Sequence, residues 1–135
     1  MSNISTIQEL YNAFRRGDIP MILSKLSDEI EWEYGVISTT VPWLQRGVGH
    51  EGASAFFASL EGMEIHTFVP KMFFEGDNIV VVLLDVEFTV KATGKRVFEE
   101  DEIHIWWFDA EGKVARFRHR VDTQLHQLAY NVKEK

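Results

Sequence analysis

Apolar residues at Ile4, Ile7, Leu10, Tyr11 and Phe14 recur at intervals of three and four, which predicts a helix with one buried face. Ser5 and Gln8 have the spacing of a capping box, with Ser2 or Asn3 offering a start one turn earlier, and Gly17 ends the helix. Asp18 can cap a second, short helix that tolerates Pro20 in its first turn and turns Ile19, Ile22, Leu23 and Leu26 inward until Ser27-Asp28 stops it. The period then changes to two. Ile30, Trp32 and Tyr34 fall on one face and Glu29, Glu31 and Glu33 on the other, a strand with one wet side. From 35 to 49 the pattern dissolves into Gly, Ser, Thr and Pro around Trp43 and Leu44, a long irregular segment of the kind that commonly carries function. A third helix over about 50–60 has Ala53, Phe56, Phe57 and Leu60 as its apolar face. Strands follow over about 63–75, 79–92, 96–109 and 113–123, separated by Gly76-Asp77-Asn78, Thr93-Gly94-Lys95 and Glu111-Gly112, so they are expected to pair antiparallel in a meander. Leu125, Leu128 and Val132 suggest a last short helix.

Helices first and a long antiparallel sheet afterwards predict an α+β fold with three helices in the N-terminal half segregated to one face. Strong twist in such long strands would curl the sheet around them and leave a pocket at the open end. The hairpin over 96–122 is the chemically informative part. Alternation places Phe98, Glu100, Glu102, His104 and Trp106 on one side of its first arm, and Val97, Ile103, Ile105 and Trp107 on the other. Titratable groups held among apolar ones are what a ligand cavity requires. The Ile103, Ile105 and Trp107 face would leave a large apolar patch in water, and is expected to be buried in a homodimer.

With 135 residues and 45% hydrophobic content the chain is expected to form one domain, 1–135, with a core of ordinary depth. A net charge of −7 argues against nucleic acid and anionic membranes as partners. Arg116, Arg118 and Arg120 form the one basic cluster, and cross-strand pairing with the acidic run Glu99 to Glu102 is its simplest explanation. Absence of cysteine removes disulfides and thiol catalysis. The start lacks the basic segment and apolar run of a signal peptide, and the aliphatic run Ile79 to Leu84 has the length of a buried strand, so a cytoplasmic protein is the expectation.

The five histidines show no tight ligand spacing with a carboxylate, and the alternating acidic run is not expected to converge on one ion, so no metal is expected. Nor is there a nucleophilic-serine elbow, a phosphate loop or a dinucleotide fingerprint. The chemistry expected is cofactor-free acid–base work on a small apolar molecule. His104, between Ile103 and Ile105, is a candidate for it. Asp122 is either a proton-transfer group or the cap of the last helix. Tyr34 and Trp32 share a face, Tyr34 as a candidate to steady a ligand oxygen and Trp32 as a candidate ligand wall. Glu102 either enters the cavity or pairs with Arg118 or Arg120. Trp43 is a candidate lid or ligand wall, Trp106 a wall, and Arg118 and His119 are further candidates for ligand contact.

The order of elements, together with the motifs around Tyr11 to Asp18, Leu26 to Trp32 and Gly112-Lys113-Val114, resembles the nuclear transport factor 2-like superfamily over essentially the whole chain. More closely it is similar to the SnoaL-like polyketide cyclase and ketosteroid isomerase-related branch. The resemblance implies a cone-shaped, cystatin-like fold that hosts isomerases, cyclases and dehydratases as well as non-catalytic binding domains. It places His104 where ketosteroid isomerases carry the acid that donates to the enolate oxygen, and Tyr34 where they carry the aspartate base. The oxyanion-hole tyrosine of those enzymes would sit near Leu10, which has no donor. Asp122 resembles the aspartate that SnoaL-like cyclases use as general acid and base. What this implies is a small cofactor-free isomerase, cyclase or dehydratase acting on an apolar carbonyl compound, with a binding or sensing domain as the alternative.

Overall fold

The computed structural model describes residues 2–33 and 39–131. Tyr34 and Val132, both singled out above, lie outside the described residues. Helix α1 (Asn3–Arg16) starts at the earlier cap, with the Ser2 hydroxyl accepting from the Ser5 N–H, and ends at Gly17 with φ 73°. Such a left-handed residue is where glycine terminates helices without a Cβ clash. Helix α2 (Ile19–Ser24) is capped by Asp18 with Pro20 in its first turn. Strand β1 (Leu26–Trp32) and the two-residue β2 (Gly47–Val48) precede α3 (Gly49–Ser59). The long strands β3 (Met63–Gly76), β4 (Ile79–Val90), β5 (Arg96–Phe108) and β6 (Val114–Arg120) lead to α4 (Thr123–Tyr130). No helix among the described residues is long and apolar enough to cross a membrane.

The six strands form one sheet in the order β2-β1-β6-β5-β4-β3. Every pairing is antiparallel except β1 with β6, which run parallel. Strand β4 shows why the sheet holds a core on one side only. Val80, Val82, Leu84, Val86, Phe88 and Val90 are buried, and the residues between them are half-exposed. Tyr11 and Leu10 of α1, Ile22 of α2 and Ala53 of α3 join that buried face.

Strand β5 departs from simple alternation. Leu84 pairs with Glu102 and Val86 with Glu99, so Asp85 alone faces Glu100 and Asp101, and Asp101 has φ 63°. One extra residue in a strand is a β-bulge, and it exchanges the two faces on either side of it. Val97 and Glu99 therefore point inward with Glu102, His104 and Trp106. Phe98, expected inside, is 57% exposed, and Glu100 is exposed with it.

On the opposite face Ile103, Ile105 and Trp107 are half-buried. Register aligns Ile105 with Val81 and Phe74, and Ile103 with Leu83 and Met72, so an apolar surface crosses three strands. In α4 the inward residues are His126 and Ala129, and Leu128, one of the positions that suggested this helix, is 56% exposed.

Candidate active site

The curl of the sheet and α1, α3 and α4 line a cavity of about 80 Å³, room for roughly two or three waters. Its wall is largely aromatic: Trp32, Trp43 and Trp106 line it together with Tyr11, Phe68 and Phe117. Tyr11, Glu102, His104, His119 and His126 are the titratable groups among the lining residues. Each histidine stands beside a buried carboxylate, and the pairs are not equivalent.

His104 sits between two partners. Its Nδ1 lies 2.7 Å from the Tyr11 hydroxyl and its Nε2 2.9 Å from Glu102 Oε2. The Tyr11 oxygen also accepts from Trp106 Nε1–H at 3.1 Å. Burial raises the phenol's proton affinity well above its ordinary value, although the Trp106 hydrogen bond opposes this, so Tyr11 keeps its proton and donates it to His104. The imidazole is then the neutral tautomer whose Nε2–H donates to Glu102. Burial favours the same state, holding His104 below the usual histidine range against the pull of Glu102. Desolvation raises the affinity of the Glu102 carboxyl for a proton, but the hydrogen bond from His104 and the electrostatic pull of the surrounding histidines together outweigh it and keep the group ionised.

His119 has the opposite character. Burial alone would discharge it, yet its Nδ1 is in direct contact with Glu33, and the ion pair pushes the imidazolium up to about 9. Glu33 is 0% exposed and its other oxygen accepts the His119 backbone N–H at 3.0 Å. Alternation predicted Glu33 on the wet face of β1. Instead its φ of 56° turns it inward at the end of the strand, a conformation uncommon for a residue with a Cβ.

The third pair repeats the first. Trp43 Nε1–H donates to His126 Nδ1 at 3.1 Å, and His126 Nε2 is 2.7 Å from Glu99 Oε1. Because the bulge brings Glu99 and Glu102 to the same face, ligand atoms of Glu99, Glu102 and His126 all lie within 4.8 Å of one another. The acidic run thus converges in part, contrary to the strict alternation read from the sequence. Its donor set still suits a metal poorly: with Nδ1 accepting from Trp43, the His126 Nε2 carries a proton where a metal needs a lone pair.

Of the residues singled out in the sequence, Trp32, Trp43, Trp106, Glu102, His104 and His119 meet around this cavity. Trp43 is 2% exposed and lines the cavity. Glu102 bonds His104, not an arginine; among the basic triplet, Arg116 pairs with Glu31 at 2.7 Å. Arg118 alternates with the buried Phe117 and His119 and so faces away from the cavity. Asp122 is exposed, its Oδ1 accepts from Leu125 N–H at 3.1 Å, and it is not among the lining residues. The structure gives it the capping role. Tyr11, Glu33, Glu99 and His126 were missed. Only Tyr11 left a signal, a hydroxyl on the apolar stripe of α1 that a buried site must satisfy.

A model of the SnoaL-like domain matches residues 7–117. This chain belongs to the SnoaL-like family. Among solved structures, TerC co-crystallised with polyporic acid is 28% identical, covering 95% of this chain and 97% of that chain, with a TM-score of 0.72. A nuclear transport factor 2-like protein of unknown function from Burkholderia pseudomallei is 26% identical, covering 97% and 99%, with a TM-score of 0.79. Another nuclear transport factor 2-like protein, from Burkholderia xenovorans, is 25% identical, covering 96% and 95%, with a TM-score of 0.82. No curated protein matches the chain. These similarities make the fold of this SnoaL-like domain the curved-sheet cone of the nuclear transport factor 2-like superfamily.

Proposed function

We propose that this SnoaL-like protein is an acid–base enzyme that enolises a small, largely apolar carbonyl compound, in an isomerisation, ring closure or dehydration. One observation carries the reading: two histidines facing one aromatic cavity, with ring centroids 5.8 Å apart, have opposite demands for a proton. Groups whose environments push their proton affinities apart are how one site supplies acid and base together. His119 is the donor to the carbonyl oxygen as negative charge develops there. Glu102, ionised and oriented by His104, takes the proton from the adjacent carbon; the C–H pair becomes the enol double bond. Tyr11 acts through His104, holding it in the tautomer that donates to Glu102. The co-crystallisation of the related TerC with polyporic acid supports a small organic ligand for this chain as well.

Acetophenone in D2O is a direct probe, because enolisation exchanges its methyl protons. Wild-type protein should accelerate that exchange, and His119→Gln should lower the rate by about a hundredfold or more with acetophenone affinity within a few-fold. The competing reading, capture of a ligand without turnover, is favoured by the fact that both ring nitrogens of His104 are already engaged. Binding of acetophenone with no exchange above buffer would establish it in place of the enzyme.

We also propose that a second copy of the chain covers the Ile103, Ile105 and Trp107 face, because Met72 and Phe74 beside it are 52% and 49% exposed and a monomer would leave that apolar surface in water. Light scattering should read twice the chain mass. A monomer at micromolar concentration would end this assignment.

A further inference from the structure

A second depression lies on the surface between α1, α2 and α3. It measures about 420 Å³ and is lined by Phe14, Ile19, Phe57, Leu60 and Ile65, with Ala58 also among its lining residues. Phe14, Phe57, Leu60 and Ile65 line the inner cavity as well. The two spaces are therefore separated by a partition one side chain thick. A ladder of rings runs through it: His104 to Phe68 at 6.3 Å, Phe68 to Phe14 at 5.0 Å and Phe14 to Phe57 at 6.2 Å between centroids. Phe14 belongs to α1 and Phe57 to α3, so their contact closes the gap between two helices with nothing but rotatable side chains.

The polar groups of the cavity belong to its inner end, with His104, Glu102 and His119, while the groove offers apolar surface with Glu61 and Ser54 among its lining residues. A ligand that fits both must be elongated, oxygenated at one end and uncharged and apolar at the other. Glu61 and the net charge of −7 disfavour an anionic tail. We propose that this groove is the outer subsite of the cavity, and that the natural ligand carries an uncharged apolar tail which passes between Phe14 and Phe57 and lies against Ile19, Leu60 and Ile65. The inference rests on the reading of the cavity as a site for an apolar carbonyl compound and adds the length of that compound.

The test is a homologous series of phenyl ketones, from acetophenone to octanophenone, titrated into the full chain by calorimetry. A tail buried in the groove should tighten binding about three- to fourfold for each added methylene. Ala58 is exposed in the last turn of α3, so Ala58→Trp can fill the groove without entering the core. That variant should bind acetophenone as the wild type does and lose the gain along the series. Ala58→Asp, which adds charge and little bulk, should reduce the gain too and guards against a misfolded tryptophan variant. Affinity independent of tail length, or a gain that survives both substitutions, would overturn the outer subsite and leave the carbonyl site standing. Failure of every ketone to bind would overturn both.

Discussion

Glu33→Gln is expected to destabilise the protein by roughly 3–5 kcal/mol at pH 7, the usual consequence of removing one partner from a buried ion pair. Glu33 and His119 are both buried, so no solvent relaxes to take over the lost charge. The pH dependence separates this from simple packing loss. With His119 pushed up to about 9 in the folded chain against about 6.5 unfolded, the folded state binds the proton more tightly. The resulting stability, roughly 3 kcal/mol, is fully present below about pH 6.5 and is lost as pH rises through about 9. Denaturant unfolding of the wild type should therefore weaken across that window, while Glu33→Gln should be nearly flat across it. A wild-type profile already flat between those limits would mean that His119 is neutral in the folded protein and is not the acid assigned above.

Trp32→Ala should cost roughly 3–5 kcal/mol, a large part of a typical domain's stability. Trp32 is 1% exposed and touches the rings of Phe117, Phe56 and Phe57 at 4.3, 5.3 and 5.6 Å between centroids. Its removal would leave a hole where β1, α3 and β6 meet. Trp32→Phe should behave differently. The indole Nε1–H is buried and finds no acceptor among the described residues, and such an orphan costs about 1–3 kcal/mol. Deleting it offsets much of the lost ring contact, so thermal unfolding should place the phenylalanine variant close to the wild type. Equal losses in the two variants would show that the indole nitrogen is satisfied in solution.

Local signals in the sequence were sufficient for most of the fold. Ser2, Gly17 and Asp18 set the helix ends through contacts within a few residues, and the turn residues between strands fix an antiparallel meander whatever the rest of the chain does. The parallel join of β1 to β6 is a different matter, because it depends on packing between distant segments. The same division runs through the site. Trp32, Trp106, His104 and Glu102 were legible as an apolar and titratable lining, but Tyr11 meets His104 across 93 positions of sequence, and no spacing encodes that. Glu33 was assigned to water because period two assumes extended backbone, and one left-handed residue breaks the assumption. Leu128, one of the positions that suggested α4, lies at the surface, and the structure gives the buried side of that helix to His126 and Ala129.

The bulge at Glu100 and Asp101 makes residue count, as well as residue type, part of the site's specification. Strand β5 is in effect written in two reading frames, and the shift between them lets Glu99 and Glu102, three positions apart, face the same interior. Shortening the strand by one residue there would restore a single frame. With His104 and Trp106 kept in place, that deletion leaves Glu99 and Glu102 two positions apart and both facing inward; an unbroken alternation through all the present residues would instead send Glu99 to solvent and bring Phe98 and Glu100 inside, stripping His126 of its carboxylate and the α4 cap of the acceptor for the Asp122 N–H. Straightening the bulge without removing a residue would therefore erase one of the three histidine–carboxylate pairs while leaving every residue of the chain unchanged, and a one-residue deletion there would keep the pair.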